Sequence, residues 1–282
     1  MCSLSNSVDP FKADLHTHTT CSDGSFTPKE LIDLACKENL QGLSITDHDT
    51  IDAYAEAIPY AKQKGILLAP GVEFSCEHKR KSVHILGYDF SLENANFKAY
   101  CLRQQHKRVI RNKGILDRLR RLRIIIEESD LRKIHDNPLT IGRPHIAEAM
   151  ILKGYVRSIQ EAFQSYLGDQ GCCFVQGEPF PVQEGISIIH EAGGKAFIAH
   201  PNLYTNHQFV EEILSLGFDG IECYYGRFSY GKEKKWLDIA KKRDLLISGG
   251  SDFHGSAKPQ VFLGCSYVEK EAFASIFTSK CF

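Results

Sequence analysis

The sequence predicts an α/β fold: a barrel of alternating strands and helices over 11–98 and 178–282, interrupted over 99–177 by a helical insertion. Three observations support this. Apolar runs of strand length alternate with amphipathic helical stretches in both outer parts. The alternation breaks in the middle, where only helical patterns occur. The strand-like runs end in or enclose a His, Asp or Glu, which is how a parallel barrel displays chemistry at the C-terminal ends of its strands. A length of 282 residues suits one such unit with an insertion, since barrels of this kind run to about 250 residues.

Phe11–His16 reads as the first strand and Pro28–Lys37 as its helix. Thr27 is the N-cap, with Pro28 at the first helical position and Glu30 three residues past the cap, a capping-box arrangement. Gly42–Thr46 is the second strand and delivers Asp47 and His48. A helix over Ile51–Lys64 stops before Gly65, a residue suited to a left-handed terminus, and Ile66–Glu73 is the third strand. His78-Lys79-Arg80-Lys81 reads as a solvated hairpin tip before the strand that carries His84. In the insertion, Tyr100–Arg123 is a long basic helical stretch, followed by shorter helical patterns at His145–Lys153 and Ser158–Leu167. The barrel resumes with a helix over Val182–Glu191, a strand over Lys195–His200 and a helix over Gln208–Ser215. Then come a strand over Gly220–Cys223, a helix over Gly231–Lys242, a strand over Leu245–Gly250 and a last helix near Glu271–Ser279. No internal repeat of fixed period is present beyond this alternation.

A formal net charge of −1 gives no global pull toward nucleic acid, so an anionic substrate has to be attracted by local cations or metals. No run of about 18 apolar residues exists, and the N-terminus lacks the charged and apolar regions of a signal peptide; a cytoplasmic protein with no membrane partner is expected. The ten cysteines have irregular spacing and read as reduced thiols, and the adjacent Cys172 and Cys173 lack the spacing of a zinc site.

His16 and His18 stand two apart in an extended segment, so both imidazoles share one face, and Asp23 follows in a Ser-Asp-Gly turn. Similar residues recur as Asp47-His48, Glu73, His84, His200-Pro201 and Asp252-Phe253-His254. This ordered set resembles the PHP family, the polymerase and histidinol phosphatase superfamily of metal-dependent phosphoesterases. The resemblance implies a distorted (β/α)7-type barrel and two or three divalent ions, with His16, His18, Glu73 and Asp252 on one ion, Glu73, His84 and His200 on a second, and Asp23, His48 and His254 on a third. Mixed imidazole and carboxylate ligands favour manganese, zinc or iron over magnesium or calcium. Asp47 and Asp49 flank His48 and are expected to be turn residues or outer partners that orient its imidazole. His78, His106, His135, His190 and His207 match no ligand position.

Within the insertion, Ile141-Gly142-Arg143-Pro144-His145 places a planar fork and a second donor at a helix start, a suitable grip for phosphate. The family's nucleotide-acting branch carries a helical subdomain and an Arg-Pro-His here, so the resemblance implies that Arg143 and His145 hold the phosphate that is not cut. Arg227, after the strand of Ile221–Cys223, is a candidate second clamp. The basic stretch from Arg103 to Arg123 reads as a solvated helical face. The expected reaction is hydrolysis of a nucleotide phosphate, foremost the 3'-phosphate of nucleoside 3',5'-bisphosphates, by a metal-bound hydroxide and without a covalent nucleophile. Alternatives are a 5'-to-3' exoribonuclease on short RNA, a monoesterase like histidinol phosphatase, and a non-catalytic metal-stabilised nucleotide sensor.

Overall fold

The computed structural model describes residues 10–178, 180–204, 206–226 and 230–278. Seven strands form one sheet in chain order: β1 (Ala13–Thr17), β2 (Gly42–Ile45), β3 (Leu67–His78), β4 (Lys81–Tyr88), β5 (Lys195–Ile198), β6 (Gly220–Tyr225) and β7 (Leu246–Gly250). Strands β1 to β3 run parallel, β3 and β4 make an antiparallel hairpin, β4 pairs antiparallel with β5, and β5 to β7 run parallel. The sheet nearly closes, because just beyond β7 the Asp252 N–H donates to the His16 carbonyl at 2.8 Å and the His18 N–H to the Phe253 carbonyl at 2.9 Å. The first and last strands thus meet at a seam.

Helix α1 (Pro28–Lys37) starts at the expected box: the Thr27 side chain accepts from the Glu30 N–H, and Glu30 Oε2 accepts from the Thr27 N–H at 2.8 Å. Its Leu31, Ile32 and Ala35 are fully buried against a cluster with Leu43 and Ile45, each larger side chain contributing about 1.5–3 kcal/mol. Helix α2 (Tyr54–Lys64) ends on Gly65 at φ 76° but begins three residues later than expected, after a turn at Ile51–Ala53. The third strand is longer than its apolar run, extending five residues beyond Glu73 because Phe74 to His78 pair with Lys81 to Ile85 across the hairpin.

Helix α3 (Ala95–Arg121) is capped by Asn94 and starts earlier than the basic stretch suggested. It is followed by α4 (Glu128–Arg132), α5 (Arg143–Leu152) and α6 (Ile159–Ala162), which continues into a wider turn over Phe163–Leu167. No strand occurs among the described residues from 95 to 178. These helices have their own apolar cluster, in which Ile115 and Leu119 of α3 meet Ile146 and Met150 of α5. The basic helix is only partly solvated. Gln104, Gln105 and Asn112 are buried, and Arg108 is 10% exposed, because this face turns toward β3 and the barrel. Helices α7 (Val182–Glu191), α8 (His207–Leu214), α9 (Tyr230–Arg243) and α10 (Lys270–Ile276) complete the shell.

Candidate metal centre

β1 places His16 and His18 side by side, ring centres 5.3 Å apart, and the strand ends and loops around them supply the other charged groups. Glu73 lies at the centre of the group. Its Oε2 is 3.3 Å from His16 Nε2, 3.1 Å from His18 Nε2 and 3.3 Å from His48 Nδ1. Its Oε1 is 2.8 Å from His84 Nδ1 and 3.0 Å from His200 Nε2. Asp252 Oδ1 lies 3.4 Å from Nε2 of both His16 and His18, and Asp23 Oδ1 lies 3.3 Å from His254 Nε2. His200 and Asp252 both have positive φ, 31° and 57°, backbone that is costly for non-glycine residues and here turns each side chain back toward the centre.

The arrangement fits divalent cations. Among the described residues, the Nε2 atoms of His16 and His18 and Nδ1 of His48 are buried without hydrogen-bond partners, while carboxylate oxygens lie close by. His16 Nδ1 is committed to Glu222 Oε1 at 2.8 Å, which leaves the Nε2 lone pair facing inward, and His254 Nδ1 is committed to the Asp252 carbonyl at 2.9 Å. Burial opposes charge on Glu73, yet the surrounding His48, His84 and His16 hold its carboxyl well below the usual range. Asp23 is likewise buried and is lowered by His48 and His254. Both carboxylates are therefore held as anions within a ring of imidazoles.

Three groups of donor atoms, each within 4.8 Å of one another, could hold an ion: His16, His18, Glu73 and Asp252; His18, Asp23, His48 and His254; and His48, Glu73 and His84. The first matches the expected set, the second adds His18 to the expected one, and in the third His48 stands where His200 was expected. His200 still reaches the same Glu73 oxygen as His84.

Of the two roles expected of Asp47 and Asp49, the described contacts give the turn and loop role and none to the His48 ring. Asp47 accepts from the Thr19 N–H and Oγ1 and from Ser22 Oγ, at 2.7, 2.6 and 2.5 Å, so it shapes the loop that carries Asp23. Asp49 pairs with Arg108 and accepts from the Ser75 N–H at 2.9 Å. Both are drawn away from the His48 ring by nearer donors. Four residues were not anticipated. Glu222 holds His16 and also accepts from the His200 N–H at 2.6 Å. Asp14 accepts from the N–H groups of His16, Ser251 and Gly264, tying β1 to the loops after β7, and burial raises its pKa to about 6. Tyr225 Oη and Lys258 Nζ donate to Asp252 Oδ2 at 2.8 and 2.5 Å, leaving Oδ1 for the histidines. A carboxylate amid the apolar neighbours Ile221 and Cys223, or Ala13 and Leu15, was the available signal for Glu222 and Asp14.

The insertion closes over one side. His145 Nδ1 accepts from the Gly142 N–H at 2.9 Å and its ring stacks on His135 at 4.6 Å, so Nε2 is left as its donor. Burial pushes the His145 pKa down to about 4, which keeps the ring neutral. Arg143 Nη1 reaches Asp169 Oδ1 and the Leu167 carbonyl, both at 3.2 Å, and borders a pocket with Arg108, Asp49 and Ser75. Arg227 lies outside the described residues. No disulfide joins two described cysteines.

Residues 14–172, more than half of the chain, match the family model described as PHP domain. A 5'-3' exoribonuclease of Haemophilus influenzae is 34% identical over 248 residues, covering 86% of this chain and 90% of that protein. A 3',5'-nucleoside bisphosphate phosphatase of Chromobacterium violaceum is 32% identical over 253 residues, covering 86% of each. A solved structure from Bifidobacterium adolescentis, provisionally named a metal-dependent phosphoesterase, superposes with a TM-score of 0.85 at 29% identity over 94% of both chains. Likeness of sequence and of fold extends across barrel and insertion alike, and this chain belongs to the PHP domain family of metal-dependent phosphoesterases.

Proposed function

We propose that the chain hydrolyses the 3'-phosphate of nucleoside 3',5'-bisphosphates. The observation that carries this is the position of the insertion: Arg143 borders a cationic pocket whose inner wall includes Asp49, next to His48, and Ser75, two residues past Glu73. A substrate with two phosphates can therefore place one at the metals and the other against the insertion. His16, His18, Glu73 and Asp252 would hold one divalent ion, Glu73, His84 and His200 a second, and Asp23, His48 and His254 a third, with manganese, zinc or iron suited to these donors. Such ions supply Lewis acidity and bring the pKa of a coordinated water toward ~7. The protein's own part would be to fix His16 through Glu222, to offer both Glu73 oxygens to the ions, and to hold the unreacting phosphate with Arg143, the neutral His145 and, beyond the described residues, Arg227. No helix among the described residues is long and apolar enough to cross a membrane, in keeping with a cytoplasmic nucleotide substrate.

Stepwise hydrolysis of short RNA from its 5' end is the second reading, favoured by the exoribonuclease of Haemophilus influenzae at 34% identity. Turnover of adenosine 3',5'-bisphosphate, 5'-phosphorylated RNA oligonucleotides, mononucleotides and histidinol phosphate, with each metal supplied separately, decides between them. The bisphosphate should give the highest kcat/KM. Turnover confined to histidinol phosphate would remove the nucleotide from the proposal.

A further inference from the structure

Among the described residues Arg111 forms no ion pair, and the nearby Asp49 is already bonded to Arg108. Its Nε is buried without a hydrogen-bond partner, and its described side-chain bond is a long one, 3.4 Å from Nη2 to Asn112 Oδ1. A buried cation without an anion is strongly unfavourable and is normally paired. Burial and the nearby Arg108 and Arg143 press its pKa down to about 9, which still leaves it charged at neutral pH. The pocket that Arg111 lines has a volume of about 110 Å³ and lies between α3, the β3–β4 hairpin and the start of α5. Its carboxylates are already engaged. Asp49 pairs with Arg108, Asp169 with Arg143 at 3.2 Å and Glu178 with Lys107 at 2.9 Å, while Glu77 accepts from Gln176 Nε2 at 3.0 Å. Five cations line the pocket, Arg80, Lys107, Arg108, Arg111 and Arg143; of the two that pair with no carboxylate among the described residues, Arg80 donates to Gln176 Oε1 at 3.1 and 3.3 Å, while Arg111 keeps a buried Nε without a partner.

We infer that Arg111, with Arg108 and Arg143 beside it, is the receptor for a second phosphate group of the substrate. Such a phosphate is carried equally by the 5' end of a nucleoside bisphosphate and by the next phosphodiester of a short RNA. The guanidinium fork matches two phosphate oxygens, and binding supplies the missing counter-ion. Arg108 Nη2 also reaches Ser75 Oγ at 3.2 Å, so the receptor abuts the strand that carries Glu73. The inference rests on the proposed nucleotide substrate and moves the main grip from Arg143, which is shared with Asp169 and the Leu167 carbonyl, to Arg111.

The test compares manganese-loaded wild type, R111M and R111K on adenosine 3',5'-bisphosphate, a 5'-phosphorylated RNA dinucleotide and p-nitrophenyl phosphate. The ratio of kcat/KM for a two-phosphate substrate to that for the chromogenic monoester should fall roughly ten- to a hundredfold in R111M, with part recovered in R111K. A fall with the bisphosphate alone identifies the terminal phosphate as the ligand, and a fall with RNA alone identifies the chain phosphate. An unchanged ratio on both overturns the inference, and should R111M not fold, an unchanged ratio in R111K does the same. Melting in sulfate provides a separate readout. Sulfate should raise the melting temperature of wild type more than that of R111M, and equal shifts overturn the receptor. Should wild type cleave the chromogenic ester but neither nucleotide, the proposed substrate fails, and the sulfate comparison alone decides the pocket.

Discussion

His16 Nδ1 stands 2.8 Å from Glu222 Oε1 across 206 residues of chain, with both side chains fully buried. The bond sets the tautomer that presents Nε2 to the cluster, and the other Glu222 oxygen fixes the backbone at His200. Glu222→Ala should weaken metal binding by roughly ten- to a hundredfold, with Glu222→Gln losing less because its amide oxygen still accepts from Nδ1–H. Competition against a chromogenic chelator measures this directly. Equal affinity in all three proteins would show that His16 is oriented by something else.

Glu73→Gln keeps the shape of the side chain and removes the charge shared by five imidazoles. Elemental analysis should show fewer bound ions per chain. If Glu73 is a ligand as proposed, its loss should exceed that of an outer partner, and kcat/KM is expected to drop by about a hundredfold or more. Unchanged stoichiometry and turnover would show that Glu73 does not bridge.

The Arg143→Ala variant should lose more on two-phosphate substrates than on p-nitrophenyl phosphate, by roughly tenfold in the ratio of kcat/KM values. Because Arg143 also binds the Leu167 carbonyl and Asp169, the variant should be destabilised by about 1 kcal/mol, read from urea unfolding. Equal losses on every substrate would assign Arg143 to the reacting phosphoryl group.

The depressed pKa of His145, about 4 against an ordinary 6.5, makes stability depend on acidity. Between these values the unfolded chain binds the proton and the folded protein does not, so stability falls as pH drops through ~6.5 toward ~4 and is unaffected by this group above that window. The full effect is on the order of 3 kcal/mol. In urea melts, His145→Asn should lose less stability than wild type between pH 6.5 and 4, and parallel curves would show that His145 titrates normally.

Local chemistry made much of this molecule legible in its sequence. Thr27 and Glu30 cap α1 through bonds three residues apart, and Gly65 ends α2, because such signals depend on a few neighbouring residues. The donors around Glu73 were legible because their residue types recur at strand ends. The partners of Asp47 and Asp49 were not legible, because proximity in sequence to His48 says nothing of the nearer donors Thr19, Ser22 and Arg108. Glu222 was missed since its partners are set by the order of strands. The inward turn of Arg108 and Arg111 was hidden for a related reason: a basic helix looks solvated until the hairpin it covers is known.

The seam between β1 and β7 has a consequence for how the protein matures. His16 and His18 are made more than 200 residues before Asp252 and His254, yet they meet in one cluster. A chain stalled before residue 252 cannot assemble that cluster, so capture of an ion there would have to wait for β7 and the loop after it. An ion held there would latch the barrel from both sides of the seam, and its loss should be felt first as fraying of the seam, where protease sensitivity and amide exchange should rise ahead of global unfolding.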